Sequence, residues 1–337
     1  MRKKLSELLV CPKCHEALDC QPESIADDGD ILTGSLRCGG CQASYPIERG
    51  IPRFVPTGNY ATSFGYQWTR FRQEQIDSLN GTRQSEERLS NETAWESNWW
   101  NGKTILDAGC GAGRFLEVSS RNRECDVVGV DLSSAIDAAQ ETVSGRSNVH
   151  LVQASIFELP FRPGSFDGVY CIGVIQHTPD PKAAVQSLAD VVEDGGRIAV
   201  TIYESRWSTM LYSKYWVRPL TRRIKAERLL TLIKAIMPLA FILSEVLFRI
   251  PVLKRVFQFM LPVANYVDFK ELSMRQRYQW AVLDTFDMLA PAYDNPQRHA
   301  DVVEIMKERQ ISEIQRLANP GLNLIGTKVS SNEIAHL

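Results

Sequence analysis

The chain has 337 residues, 44% of them hydrophobic, with 38 Lys and Arg against 40 Asp and Glu for a formal charge of −2. That apolar content supports a sizeable core in one large or two modest domains and excludes wholesale disorder. The near-neutral balance argues against a protein that coats nucleic acid.

Taken in chain order, the amino terminus MRKKLSELLVCPKC is basic but lacks the apolar run of a signal peptide. Residues 1–56 then carry two Cys-x-x-Cys pairs, Cys11/Cys14 and Cys38/Cys41. Thiolates at that spacing converge on one tetrahedral ion, so a closed, structural zinc site held by all four cysteines is expected, with His15 exposed beside it. Eight cysteines without an export signal also fit a reducing, cytoplasmic setting. Residues 57–102 are polar and aromatic, partly helical, with Trp68, Trp95, Trp99 and Trp100 standing out.

From 103 to 204 apolar runs alternate with helix-like stretches, the rhythm of a βαβ sheet. Strands are predicted at Thr104–Asp107, Asp126–Val130, Val149–Gln153, Phe166–Cys171 and Gly196–Tyr203, and a helix at Arg114–Ser120. Ser133 is the expected N-cap of the helix after the second strand. Asp194-Gly195-Gly196 reads as a helix-to-strand turn. Residues 205–300 are rich in aliphatic and aromatic residues, and Pro219, Pro238, Pro251 and Pro262 should cut them into several helices. No segment there approaches the roughly 20 apolar residues of a membrane span; Ala235–Ser244 comes nearest. Residues 301–330 return to strands at Ile311–Leu317 and Leu322–Lys328.

The chemistry centres on Asp107-Ala-Gly109-Cys-Gly111-Ala-Gly113, a turn between strand and helix where absent side chains let backbone approach a ligand. A second strand then ends in Asp131, a carboxylate suited to a ribose diol. A nucleotide-type cofactor follows. A dinucleotide is disfavoured, because Gly113 comes one residue early for G-x-G-x-x-G and Asp107 would place negative charge beside a pyrophosphate. A carboxylate there suits a cofactor with an ammonium group and a sulfonium centre.

ILDAGCGAGRF, VVGVDLS, QASIFELPF and SFDGVYCIGVIQHTPDPKAAVQSLADVVEDGGRIAVTIYE resemble successive motifs of class I S-adenosylmethionine-dependent methyltransferases, of the ubiquinone/menaquinone-biosynthesis type. The resemblance implies an α/β, Rossmann-like seven-stranded sheet whose final strand is antiparallel. It places Asp107, Gly109, Gly111 and Gly113 at the methionine end, and Asp131 on the ribose hydroxyls. Leu132, Ser155 and Ile156 would contact adenine, and Cys171 would sit below the reactive methyl. Ser155 departs from the Asp that many relatives carry, which removes a charged contact. LRCGGCQASYPIERGIPRF resembles the zinc-ribbon module of tRNA-methyltransferase activator proteins; fused here, it reads as structural or partner-docking.

His177, after the fourth strand of the core, is the candidate general base, weighed against a local capping role. The insertion at 205–300 is expected to form a helical lid over the acceptor. Its greasy, basic stretch at 207–262 is a candidate for peripheral contact with an anionic membrane surface. The leading expectation is O- or C-methylation of a small or lipid-linked acceptor. The alternatives are an RNA or protein methyltransferase guided by the ribbon, or a silent cofactor-binding docking protein.

Overall fold

The computed structural model describes residues 1–55, 60–121, 124–251, 253–269 and 272–330; the predicted boundary at 56/57 lies outside them. The amino-terminal module begins with α1 (Lys3–Leu8). Four antiparallel strands follow in sequential order, β1 (Leu18–Ile25), β2 (Ile31–Cys38), β3 (Ser44–Glu48) and β4 (Ile51–Pro52). The module does not stand apart. Its Leu5, Leu9, Leu36 and Ile47 share one apolar cluster with Val152, Leu159 and Phe161 of the main domain. Backbone bonds stitch the two together, from Val10 N to Pro160 O at 2.9 Å and from Phe54 N to Gln153 O at 2.8 Å.

Short helices lead into the main domain: α2 (Thr62–Arg70), α3 (Arg72–Gln75), α4 (Asp77–Asn80) and α5 (Gln84–Thr93). The core then alternates β5 (Thr104–Ala108), α6 (Arg114–Ser119), β6 (Asp126–Asp131), α7 (Ala135–Thr142), β7 (Val149–Gln153), β8 (Phe166–Ile172), α8 (Pro181–Asp190) and β9 (Val192–Ile202). Strands β5 to β8 are buried almost throughout, as sheets covered on both faces require. The closing pair is β10 (Ile311–Arg316) and β11 (Leu322–Lys328), giving the order β10-β11-β9-β8-β5-β6-β7. Strands β5 to β9 pair in parallel, and β11 runs antiparallel to both neighbours. The seven-stranded sheet with its reversed last strand is thus as expected. Strand order turns back at β5, so the crevice beyond β5 and β8 is the switch point where such sheets hold ligands.

The insertion contributes α9 (Ser213–Thr221), α10 (Ala226–Leu247), α11 (Lys254–Met260) and α12 (Met274–Leu289), and α13 (His299–Glu308) precedes β10. Two expectations fail here. Pro219 and Pro238 lie inside helices, and α10 runs unbroken for 22 residues. By length and composition α10 could cross a membrane. Its other face is committed to the core of the insertion: Leu229, Ile233, Met237 and Phe241 share a cluster with Ala281, Leu283 and Phe286 of α12. The insertion leaves and rejoins the sheet at one place. Ser205 N donates to Gln297 O at 2.8 Å and Gln297 N to Tyr203 O at 2.8 Å.

Two local readings also change. β9 starts at Val192, because Asp194-Gly195-Gly196 is a bulge within it: Phe166 pairs with Val192, then Gly168 with Arg197. Gly195 takes φ +79° to make that bend. α7 begins one residue later than expected with Ser134 at its cap, although Ser133 Oγ accepts from Ala135 N at 3.2 Å.

Candidate active site

The glycine turn is shaped by sterics. Gly109 has φ +83°, and a Cβ on it would lie 2.4 Å from Val174 Cγ2. Gly111 has φ +53°, and its Cβ would meet the Trp68 ring at 3.4 Å. Both positions need the left-handed backbone that glycine adopts readily. Gly113, at φ +84°, shares that backbone, and its Cβ would in addition meet Ala139 and Thr142 of α7. It permits close packing of helix on helix.

Asp131, at the tip of β6, is held by this turn. One oxygen accepts from Gly111 N at 2.8 Å; the other accepts from Ser133 N at 2.7 Å and Ser133 Oγ at 2.6 Å. Burial pushes its pKa up, and those donors oppose the shift. The carboxylate is therefore fixed in orientation.

A cavity of about 670 Å³ opens over the turn, within the roughly 300–1,000 Å³ range of small-molecule sites. Gly109, Gly111, Asp131, Leu132, Ile156 and His177 stand on its wall. The structure places four other expected site residues behind the wall. Asp107 is 1% exposed and Cys171 fully buried. Gly113 faces α7, and Ser155 Oγ accepts from Phe157 N at 3.2 Å in a local turn. Asp107 Oδ2 is buried without a hydrogen-bond partner. Burial drives its pKa far up, with Asp131 adding to the rise. A hydrogen bond with Tyr170 opposes that rise, and Oδ2 remains an unpaired acceptor beneath the glycine turn.

Phe64 and Trp68 of α2 complete the cofactor side of the wall, and Gly65 lets α2 approach Ser134, which a Cβ would meet at 2.5 Å. The far side contains groups that the sequence reading did not single out: Arg88, Arg114, Trp280, Asp284 and Asp287. Asp287 Oδ1 accepts from Gln67 Nε2 at 2.9 Å, and its Oδ2 lies 4.0 Å from His177 Nε2. His177 Nδ1 is 3.1 Å from Tyr293 O; because a carbonyl only accepts, Nδ1 donates to it and Nε2 is the nitrogen turned toward Asp287. Burial, then the charge of Asp287, lifts Asp284 to about 7 against the pull of Arg114 and Arg88. The available signal was Asp284 and Asp287 at i, i+3 in the largely apolar second half of α12, which puts both on one face.

Cys11, Cys14, Cys38 and Cys41 converge with their sulfurs within 4.8 Å of one another, Cys11–Cys41 at 3.6 Å and Cys14–Cys38 at 3.3 Å. Four thiolates at about 2.3 Å from a tetrahedral zinc would be about 3.8 Å apart, so the set fits that ion.

Residues 106–200 match the family model described as a methyltransferase domain, and residues 2–50 match that of Trm112p-like protein. The chain carries a methyltransferase domain behind a Trm112p-like module. An O-methyltransferase of Aspergillus nomiae is 31% identical over 118 residues, 34% of this chain and 52% of that protein. A ubiquinone biosynthesis O-methyltransferase of Pectobacterium carotovorum is 31% identical over 112 residues, 29% and 41% of the two chains. The chain thus spans about half or less of the length of the curated relatives it matches. Among solved structures, magnesium protoporphyrin IX methyltransferase from Synechocystis, with bound SAH, covers 80% of this chain and 96% of its own. Identity is 16% and the TM-score 0.42. Within the methyltransferase domain the matched segment runs from β5 to β9 and includes the glycine turn, Asp131 and His177.

Proposed function

We propose that the protein transfers a methyl group from S-adenosylmethionine to a hydroxyl of a small, apolar or lipid-linked acceptor. The observation that carries this reading is one cavity lined together by the glycine turn, Asp131, His177, Asp284 and Asp287. Asp131 would hold the ribose, Leu132 and Ile156 the adenine, and the backbone of Gly109 and Gly111 the methionine end. Ser155 and Cys171 would shape this site from behind the wall. The cofactor, when bound, supplies an electrophilic methyl on a sulfonium.

His177 Nε2 would take the acceptor's hydroxyl proton, with Asp287 steadying the resulting imidazolium. Its orientation is set by the Tyr293 carbonyl and by flanking Phe64 and Tyr203 rings, 5.1 and 5.5 Å away between centroids. Positioning and exclusion of water by α2 and α12 would supply much of the remaining acceleration. The relatives' names as O-methyltransferases support the oxygen nucleophile. We assign zinc at the four cysteines a structural role, and 207–262 a peripheral membrane contact.

Calorimetric titration with S-adenosylmethionine and S-adenosylhomocysteine, with NAD as control, tests the reading. Micromolar binding of the first two and none of NAD is expected. Absence of binding to both sulfur compounds would overturn it.

A further inference from the structure

The helix α10 is apolar on two sides. Its buried side faces α12, as above. Its outer side carries Leu232, Ile236, Leu239, Leu243 and Val246, spaced four, three, four and three residues apart, and each is between 44% and 74% exposed. That spacing lines them on one stripe of a helix. The same insertion exposes further large apolar residues: Trp207 is 92% exposed, Trp216 69%, Leu220 68% and Met260 63%. Soluble surfaces scatter such residues singly and seldom gather them, so this patch has a use.

Charge says what covers it. From Arg206 to Met260 the sequence holds eleven basic residues and two acidic ones, in a chain whose total charge is −2. Arg222, Arg223, Lys225 and Arg228 cluster exposed at the turn from α9 to α10, and Lys234 follows. None of these five is within ion-pair distance of a carboxylate among the described residues. A second copy meeting this face across a two-fold axis would bring like charges together, which opposes association. Apolar residues ringed by cations, with tryptophans beside them, match the interface of an anionic bilayer.

We infer that the α9–α11 face docks this protein on an anionic lipid surface, with α10 lying in the membrane plane. The inference rests on the proposed reading for its purpose: α10 is one helix away from the acceptor side of the cavity. Asn265 Nδ2 donates to Ser244 Oγ of α10 at 2.7 Å, and Ala264 N to Thr285 Oγ1 of α12 at 3.0 Å. Ala264 and Tyr266 themselves line the cavity. The docked face therefore lies one layer of packing from the wall of the cavity, which brings an acceptor dissolved in the bilayer close to the site.

The test is flotation of the full chain with phosphatidylcholine vesicles and with mixed phosphatidylcholine–phosphatidylglycerol vesicles. Binding to the mixed vesicles is expected, and at least about thirtyfold weaker binding to the neutral ones or after R222E/R223E, since two surface cations at about 1 kcal/mol each amount to that factor. I236D/L239D should abolish flotation while S-adenosylhomocysteine affinity stays at the wild-type value, because both side chains face solvent. Failure of the wild type to float with mixed vesicles would overturn the inference. So would unchanged flotation of I236D/L239D, or a stable wild-type dimer that I236D/L239D dissociates. Flotation without cofactor binding would sink the methyltransferase reading and leave the docking surface standing.

Discussion

Arg53, just beyond the last strand of the Trm112p-like module, donates from Nη1 to Gln153 Oε1 at 2.7 Å. Gln153 Nε2 in turn reaches the main-chain carbonyls of Leu132 at 3.2 Å and Ser133 at 3.3 Å. The module is thereby tied to the segment proposed to hold the adenosine. Arg53→Ala leaves Gln153 unanchored and is expected to cost about 1 kcal/mol of cofactor affinity, the scale of one hydrogen bond. Cys38→Ser should lower bound zinc and the melting temperature together. Full zinc occupancy in Cys38→Ser, measured by atomic emission, would remove that thiolate from the metal site.

Asp131→Ala is expected to weaken S-adenosylhomocysteine binding by about 1.5–3 kcal/mol, the range for hydrogen bonds to a charged group. It also strands the amides of Gly111 and Ser133. Calorimetry reads the loss directly, and an unchanged Kd refutes the placement of the ribose.

Gly109→Ala meets two obstacles, a φ of +83° and a Cβ 2.4 Å from Val174. The expected destabilisation is about 1–3 kcal/mol. Adding Val174→Ala should relieve the clash and leave the backbone strain, so a denaturant melt of the double variant recovers part of the loss. Full recovery would show that the left-handed backbone costs nothing there.

His177→Asn should lower kcat about 10²- to 10⁴-fold, the range for removing a general base. KM should change little. Asp287→Asn acts through His177, so its effect should be smaller and should largely vanish in the double variant. Additive losses would mean that the two side chains work separately.

Asp284 is lifted to about 7 chiefly by burial and then by Asp287, whereas an unfolded Asp titrates near 3.9. Between those values the folded state binds the extra proton. Stability from this group is complete below the unfolded value and is lost as pH rises through about 7. Asp284→Asn should therefore flatten the pH dependence of the melting temperature between about pH 4 and 7 and raise stability above that window, by up to a few kcal/mol at about 1.4 kcal/mol per unit. An unaltered pH profile in Asp284→Asn would place the titration elsewhere.

Much of the sheet was legible because alternation of buried runs with amphipathic helices is a local signal. Val149–Gln153 and Leu322–Lys328 match the expected strand bounds. The glycine turn was legible for the same reason, being steric and contiguous. What failed was contextual. Pro238 reads as a helix breaker in isolation, yet α10 continues through it because α12 packs along its inner face. Asp284 and Asp287 sit over 150 residues beyond Asp131, and only the folding back of α12 across the crevice brings them to one cavity. The cysteine pairs announced a metal site, but not that the module would share its core with β7.

The insertion departs after Tyr203 and returns at Gln297, where the two chain segments bond to each other through backbone alone. A graft made between those positions leaves the order of the strands untouched, and the side-chain contacts to preserve at the seam are Glu204 to Arg316 and Tyr203 to Asp287. The 204–296 stretch is then a cassette whose exchange would replace Trp280, Asp284, Asp287 and Tyr293 together, while Gly109, Gly111 and Asp131 keep their places in the sheet. One joint therefore governs both the wall that α12 supplies and the two contacts, Tyr293 and Asp287, that hold His177.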